Sequence, residues 1–162
     1  MPDSEIEARE KLLERTVCEI FIQALRAGRV VRLRVWGSSM LPSVWPRDTI
    51  VVHPLTDWEP FVGQLVLYRR DGRLIAHRIV GCECDGASIM RFVTRGDALA
   101  GCDEPVTKCQ IFGVVNTIVR RGRQLQVSAQ QPRGILVSTL RHSDLACRLA
   151  LKIHGILLRF AR

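Results

Sequence analysis

A short segment around Ser39 contains the residue types that could form a hydrolytic nucleophile. Gly37-Ser38-Ser39-Met40-Leu41-Pro42 directly follows a strand-like run, and Gly37 lets the backbone bend sharply where that run ends. A serine braced there by Met40 and Pro42 can be held rigidly with its hydroxyl exposed, which is what a nucleophile requires. A purely structural Gly-Ser turn would produce the same six residues, so the segment alone leaves both interpretations open.

A candidate general base, His77, lies in a later strand-like run, residues 74–80. Because side chains alternate along a strand, Ile75, His77 and Ile79 share one face, and the imidazole is expected to point inward or into a cleft. Histidine takes up and releases protons near neutral pH, so it could accept the proton of an attacking serine. The alternative is a hydrogen-bonded histidine of the core.

Two acids that could orient an imidazole follow the next strand-like run. Asp97 ends the segment Thr94-Arg95-Gly96-Asp97, and Asp103 lies six residues further along the chain. A carboxylate beside a catalytic histidine holds the ring in the required tautomer and stabilises its cation. A solvated turn would also explain both acids, and the sequence leaves open which of them contacts His77.

The elements expected to position these residues are mostly β-strands. Residues 4–27 have the apolar spacing of an amphipathic helix, with Ser4 as a candidate N-cap and Gly28 as a candidate stop. From residue 29 the apolar period changes to two, which is typical of half-buried strands. The expected strands cover residues 31–35, 48–53, 63–69, 73–80, 88–94, 110–119 and 124–128.

Turn residues separate consecutive strands and indicate hairpins. Asp71-Gly72 and Asp85-Gly86 have the composition of two-residue hairpin turns, and Gly122 marks another tight turn. Short strands joined in this way predict a mainly β, antiparallel and partly rolled domain over residues 29–128. The helix of residues 1–28 precedes this domain.

The C-terminal region, residues 129–162, is expected to be a linker followed by a basic amphipathic helix. Residues 129–142 are polar and contain proline and glycine, while residues 143–161 have helical spacing with Ser143 as N-cap. One helix face would be apolar and the other basic: Leu145, Leu149, Ile153, Ile156, Leu157 and Phe160 against Arg148, Lys152, Arg159 and Arg162. The apolar face could pack on the β-domain or a partner, or lie in the interface of an anionic membrane.

The distribution of charge argues against a uniformly basic nucleic-acid-binding domain. The 162-residue chain has a formal net charge of +8, but residues 120–162 hold nine basic side chains and one acid, and residues 1–119 hold fifteen of each sign. Nucleic acid is therefore not the expected partner. The sequence contains no run of about 18 consecutive apolar residues, so no transmembrane helix is expected. The charged first fifteen residues do not resemble a secretory signal, so a cytoplasmic protein with optional peripheral membrane contact is expected.

The cysteines are expected to be reduced thiols in such a protein. Six occur, at positions 18, 82, 84, 102, 109 and 147. The C-x-C and C-x6-C spacings of the middle four do not match the usual spacing of zinc ligands, so no metal site is expected.

Motifs in a fixed order along residues 30–117 resemble those of one enzyme family. They are Gly-x-Ser-Met-x-Pro at 37–42, the acid Asp48, Gly-x-Leu-Val-x-Tyr at 63–68, His-Arg-Ile-Val at 77–80, and Thr-Arg-Gly-Asp at 94–97 with a further acid six residues on. This order and approximate spacing are similar to the type I signal peptidases, in the serine peptidase superfamily that also holds the LexA-like repressors. Histidine at the base position resembles the endoplasmic-reticulum and archaeal type, since most bacterial members have lysine there.

The resemblance implies a serine endopeptidase with a LexA/signal-peptidase-like β-domain that cleaves leader or signal-like peptides after small residues. Carried over motif by motif, Ser39 is the nucleophile, His77 the general base, Asp103 the orienting acid and Asp97 its companion. The backbone N–H of Ser39 is the first candidate to bind the oxyanion. No cofactor is implied, and the expected partner is a peptide or protein leader.

Several positions depart from the family pattern. Many signal peptidases have serine in place of Gly37, where its hydroxyl serves the oxyanion, and they have glycine in place of Arg47. The asparagines that often follow the Gly-Asp turn are Ala98 and Leu99 here. Signal peptidases also normally carry transmembrane segments, for which the basic C-terminal helix is the only candidate substitute.

Two other functions stay open from the sequence. A LexA-like self-cleaving regulator would need an internal scissile bond, for which Ala27-Gly28 is the candidate, but the region before the β-domain is too short for a helix-turn-helix module. A catalytically silent peptidase fold could instead act as a binding module through its basic C-terminal helix. The presence of Ser39, His77 and both aspartates argues against such a loss of catalysis.

Overall fold

The chain folds into one antiparallel sheet with helices at both ends, as described by a computed structural model over residues 2–55, 59–84, 89–132 and 134–160. Within these residues the elements are α1 Pro2–Arg26, β1 Val31–Arg34, β2 Thr49–Pro54, β3 Leu65–Arg70, β4 Arg73–Cys84, β5 Met90–Arg95, β6 Val106–Thr107, a 3-10 turn Lys108–Gln110, β7 Ile111–Arg120, β8 Arg123–Gln126, α2 Ile135–His142 and α3 Asp144–Phe160. The strand order is β1-β2-β7-β3-β4-β5-β6, and β8 pairs with β7. The predicted mainly β, antiparallel fold is therefore confirmed.

Two of the expected hairpin turns have the backbone conformation that their composition predicts. Asp71 and Gly72 have φ angles of 50° and 77°, and Arg121 and Gly122 have φ angles of 51° and 76°. Positive φ at both central residues is the requirement of the type I′ turn, whose twist matches that of the strands it joins. The expected turn at Asp85-Gly86 lies outside the described residues.

β1 and the first part of β4 each have an edge that no other described strand covers. β1 pairs with β2 alone. β4 pairs with β3 from Arg73 to Arg78, but its pairing with β5 begins only at Arg78. Residues 73–77 therefore keep one row of backbone groups unpaired, and such an edge can accept an added strand.

The two faces of the sheet are buried in separate apolar clusters. The first contains Leu25, Val31, Met40, Val44, Ile50, Val52, Leu65, Leu67, Val115 and Ile118. The second contains Val66, Tyr68, Ile79, Phe92, Val106, Ile111 and Val114. Along β4, Leu74 and Ala76 pack against the first cluster, while Ile75 packs against the second, which contains Ile79. The predicted alternation of β4 is therefore confirmed.

Helix α1 begins at Pro2 rather than at the predicted Ser4, and proline suits the first turn because its φ is already helical. The predicted stop at Gly28 is confirmed. Gly28 has a φ of 76°, its N–H donates to Leu25 O, and the next N–H donates to Ala24 O, which is the Schellman pattern.

The prediction that residues 129–142 form a linker is wrong for residues 135–142, which form α2. Val137 and Leu140 are buried, and Leu140 joins Leu41 and Ala98 in a third apolar cluster. So short a helix gains its stability from this tertiary packing, and eight residues carry too little periodicity to predict it.

Helix α3 is capped by Ser143 as predicted, because the Ser143 hydroxyl accepts a hydrogen bond from Ala146 N. The face that meets the third cluster consists of small or mixed side chains: Ala146, Cys147, Ala150 and Leu151. The predicted apolar face is instead exposed where it is described, and Leu145 is 77 % exposed. No helix in the described residues is long and apolar enough to span a bilayer.

Candidate active site

Ser39, His77 and Asp103 form a continuous line of hydrogen-bonding atoms. Ser39 Oγ lies 3.0 Å from His77 Nε2, and His77 Nδ1 lies 2.7 Å from Asp103 Oδ2. Both distances are in the hydrogen-bonding range. Of the two carboxylates that the sequence left open, Asp103 is the one that contacts His77. The order of groups is that of a nucleophile, a base and an orienting acid.

The loop after β1 holds Ser39 by burying the residues that follow it. Met40 and Leu41 are buried in the first and third clusters, and the Leu41-Pro42 peptide bond is cis. The Ser39 carbonyl accepts a hydrogen bond from Ala98 N at 2.9 Å. A Cβ atom at Gly96 would lie only 2.6 Å from the same carbonyl oxygen. Only glycine permits this approach, which explains the residue type at that position.

Three hydrogen-bond donors meet at Asp103 Oδ2, and Arg70 Nη1 donates to Oδ1 at 3.4 Å. Besides His77, the Tyr68 hydroxyl and Thr94 Oγ1 each donate to Oδ2 at 2.9 Å. Burial alone would raise the pKa of Asp103, but these hydrogen bonds and the positive charge that His77 can carry outweigh it, and its pKa is lowered. Asp103 is therefore charged whenever His77 must be oriented.

The Tyr68 hydroxyl lies close to both members of the His77–Asp103 pair. Its hydroxyl lies 3.4 Å from His77 Nδ1 and accepts a hydrogen bond from Thr94 Oγ1 at 3.1 Å. Burial raises the pKa of Tyr68 well above its ordinary value, so the hydroxyl stays protonated and remains a donor. Neither Tyr68 nor Thr94 is predicted from the sequence as a site residue, although both belong to the motifs quoted above.

Asp97 does not contact His77 but binds Arg78, the next residue of β4. Arg78 Nε and Nη2 donate to the two Asp97 oxygens at 2.8 and 2.9 Å, and Ser43 Oγ donates to Oδ2 at 2.5 Å. Arg78 Nη1 donates to the carbonyls of Gly63 and Ser128 at 2.7 Å each. Arg78 is 1 % exposed. This network anchors the turn that carries Gly96 and so supports the position of Ser39.

Asp48 is likewise a structural acid. Arg120 donates to Asp48 through Nε at 3.0 Å and through Nη2 at 2.7 Å, and Trp45 N donates to Asp48 Oδ2 at 2.8 Å. The preceding residue, Arg47, has a φ of 74°. Non-glycine residues enter this left-handed region at a cost.

A groove of about 760 Å³ opens beside the Ser39 hydroxyl. Its lining includes residues 33–37, from the end of β1 and the loop after it, and residues 73–77, the part of β4 that β5 does not pair. The remaining lining is mostly apolar: Met40, Val44, Ile50 and Leu67 from the core, and Val17, Cys18 and Phe21 from α1. Glu14, Arg34 and Arg73 also border it.

The backbone N–H of Ser39 has no hydrogen-bond partner within the described part of the chain. This N–H is therefore free to donate to an oxyanion. Among the described residues, no three His, Cys, Asp or Glu side chains group so as to hold a metal ion.

The hydrogen-bonded side chains of Ser39 and His77 therefore lie at the wall of the mostly apolar groove.

Neither a scan against models of known protein families nor a search of curated proteins finds a match to this chain.

Proposed function

We propose that this chain is a serine endopeptidase that cleaves an extended peptide bound in the groove. The observation that carries the proposal is the line from Ser39 Oγ through His77 to Asp103, with spacings of 3.0 and 2.7 Å. An unassisted serine hydroxyl is a poor nucleophile, and a histidine at this distance can take its proton during attack. The resemblance to type I signal peptidases supports the same assignment of roles.

The reaction follows from the positions of these groups. Ser39 Oγ attacks the carbonyl carbon of the scissile bond while its proton passes to His77 Nε2, and Asp103 stabilises the resulting imidazolium. The negative oxygen of the tetrahedral intermediate would accept a hydrogen bond from Ser39 N–H. When the C–N bond breaks, His77 returns the proton to the departing amine. Water then attacks the acyl-enzyme with His77 again as base, which releases the acid product and restores Ser39.

The substrate would bind as an added strand. The groove offers two unpaired strand edges for main-chain hydrogen bonds and apolar walls for alternate side chains, which is the arrangement that recognises extended peptides. Cleavage after small residues in leader or signal-like peptides follows from the family resemblance. A cytoplasmic location, and peripheral contact of residues 143–162 with an anionic membrane, stay predictions.

The test compares the chain with its Ser39→Ala variant on a panel of leader peptides that contain Ala-x-Ala. We expect cleavage by the unmodified chain, none by Ser39→Ala, and unchanged cleavage by the matched control Ser38→Ala. Mass spectrometry after treatment with a serine-reactive probe should find the label on Ser39 and none in the His77→Ala variant. Equal turnover by the chain and Ser39→Ala, or no turnover together with an unlabelled Ser39, would contradict the proposal.

Self-cleavage in the manner of LexA is not favoured. The candidate bond between Ala27 and Gly28 lies in the hydrogen-bonded end of α1, where Ala27 N donates to Gln23 O at 2.9 Å. A serine peptidase binds its scissile segment in an extended conformation, so the end of α1 would have to unfold before this bond could be cleaved. Mass spectrometry of the incubated chain would reverse this preference if it found cleavage after Ala27, and if the mass of the Ser39→Ala variant stayed constant.

A further inference from the structure

Two helices of this molecule carry exposed apolar stripes. On α1, Ile6, Leu13, Val17 and Ile20 are exposed, and their spacing of seven, four and three residues places them along one side of the helix. On α3, Leu145, Leu149 and Ile153 are exposed at intervals of four residues. We call these the α1 stripe and the α3 stripe. Rows of this kind are what helices normally bury.

The two helices that carry the stripes have opposite charge. α1, residues 2–26, contains six acidic and four basic side chains, and α3, residues 144–160, contains three basic side chains and one acid. Arg148 and Lys152 are exposed and lie one turn apart beside the α3 stripe. The net charges of −2 on α1 and +2 on α3 are complementary, and such complementarity selects partners and steers their association.

The two stripes do not cover each other within one molecule, because both are exposed. Leu25 near the end of α1 belongs to the first cluster, whereas α3 packs on the third cluster against Leu41, Ala98 and Leu140. No hydrogen bond or ion pair joins the described side chains of α1 and α3. Each stripe is therefore available to a partner outside its own chain.

We propose that α1 of one copy of this chain docks on α3 of a second copy, stripe against stripe. A twofold axis would repeat the contact, so that each copy provides one α1 and one α3. One occupant then accounts for both stripes and for both signs of charge. An anionic membrane would account for α3 alone and would leave the acidic α1 stripe in water.

The pairing would also bring the second copy to the groove. Val17 belongs to the α1 stripe and also lines the groove. The docked helix would therefore lie along the rim of the groove, with its basic side chains near Glu14. The pairing itself does not depend on the proposed peptidase activity, and neither does its test.

The test is the molar mass of the full chain, measured by sedimentation over micromolar concentrations at low and high salt. We expect a dimer that weakens as salt rises, because screening reduces the charge attraction. Leu13→Asp on α1 and Leu149→Asp on α3 should each weaken dimerisation by about tenfold or more. The matched controls are Leu12→Asp and Ile135→Asp, since both residues are exposed apolar side chains outside the stripes. They should leave the dimer unchanged.

A mixture of the two variants distinguishes this pairing from all others. Leu13→Asp keeps an intact α3 and Leu149→Asp keeps an intact α1, so the mixture retains one unaltered contact and should associate more strongly than either variant alone. A monomer at every concentration would overturn the proposal, as would a dimer that only one variant affects. Binding of the chain to phosphatidylglycerol-containing vesicles that requires Leu149 but not Leu13, without any dimer, would replace it with a membrane surface.

Discussion

His77 and Arg78 are consecutive residues of β4 whose side chains point to opposite faces of the sheet, and each meets an aspartate. Arg78 is enclosed, and its guanidinium reaches both oxygens of Asp97, the Ser43 hydroxyl and two backbone carbonyls. His77 has one nitrogen on Asp103 and the other on a serine hydroxyl that borders the groove.

The difference between the two pairs indicates that Arg78 and Asp97 support the structure, whereas His77 and Asp103 are placed for the proposed reaction. A buried ion pair whose hydrogen bonds are all made has nothing left to exchange, and it resists change because removal of either partner leaves a buried charge. The histidine pair keeps one ring nitrogen beside the Ser39 hydroxyl. One strand therefore supplies both the proposed base and the anchor for the loop that carries Ser39.

The first way to break this comparison is His77→Ala, which removes only the reactive side. We expect cleavage to fall by about 10⁴-fold, because Ser39 loses its base. The midpoint of thermal unfolding should change little, since Asp103 keeps Tyr68 and Thr94 as donors. The measurement is kcat/KM together with a melting curve. The control is His142→Ala, an exposed histidine of α2; an equal loss there would contradict the assignment.

Arg78→Met breaks the supporting side. Asp97 would then be a buried charge without its cation, and we expect the free energy of unfolding to fall by about 3–5 kcal/mol, as measured by urea denaturation. Adding Asp97→Asn should recover part of this loss, because the uncompensated charge is gone. Arg32→Met, at an exposed arginine of β1, is the control. A loss at Arg78 no larger than at Arg32 would show that the pair is not the anchor.

Acid titration of stability tests the other aspartate. The pKa of Asp103 is lowered in the folded chain from its ordinary value of 3.8. Its contribution to stability is therefore complete above that value and is lost as the pH falls through the folded pKa. The free energy of unfolding of the chain should fall more steeply below about pH 4 than that of Asp103→Asn. Parallel curves would rule out this linkage; Asp71→Asn, in the exposed β3–β4 turn, serves as control.

The smallest effect is expected at Arg47, the residue before Asp48, which pairs with Arg120. Its φ of 74° costs a non-glycine residue about 1–2 kcal/mol, while glycine adds freedom to the unfolded chain. Arg47→Gly should therefore raise the free energy of unfolding by about 0.5 kcal/mol and leave kcat/KM unchanged. Arg32→Gly, in an extended strand, should lower it. A loss of stability at both positions would mean that Arg47 makes contacts that outweigh its strain.

The strands and their turns could be predicted because their causes are local. The two-residue period of β4 places His77 on its face, and Asp71-Gly72 has the composition that a type I′ turn needs. The serine and histidine of the site could be chosen as candidates from their local motifs, but each motif also fitted a structural role, and only the family resemblance assigned them as nucleophile and base.

The contacts made across the fold could not be predicted from the sequence. Asp97 and Asp103 are six residues apart, and the choice between them depends on the burial of Arg78, which takes Asp97. Tyr68 and Thr94 reach Asp103 only through strand pairing and loop closure. The helix α2 and the outward stripe of α3 also depend on packing, because amphipathic spacing does not tell which side of a helix meets the core.

The unpaired edges of β1 and β4 imply that a peptide bound in the groove would complete part of the fold. In the path β1-β2-β7-β3-β4, the first and last strands border the groove. A peptide hydrogen-bonded to both of their edges would be a sixth strand and would close these five strands into a barrel. The substrate would then be a temporary part of the fold. An uncleavable peptide should raise the unfolding temperature as it binds, and hydrolysis would reopen the ring.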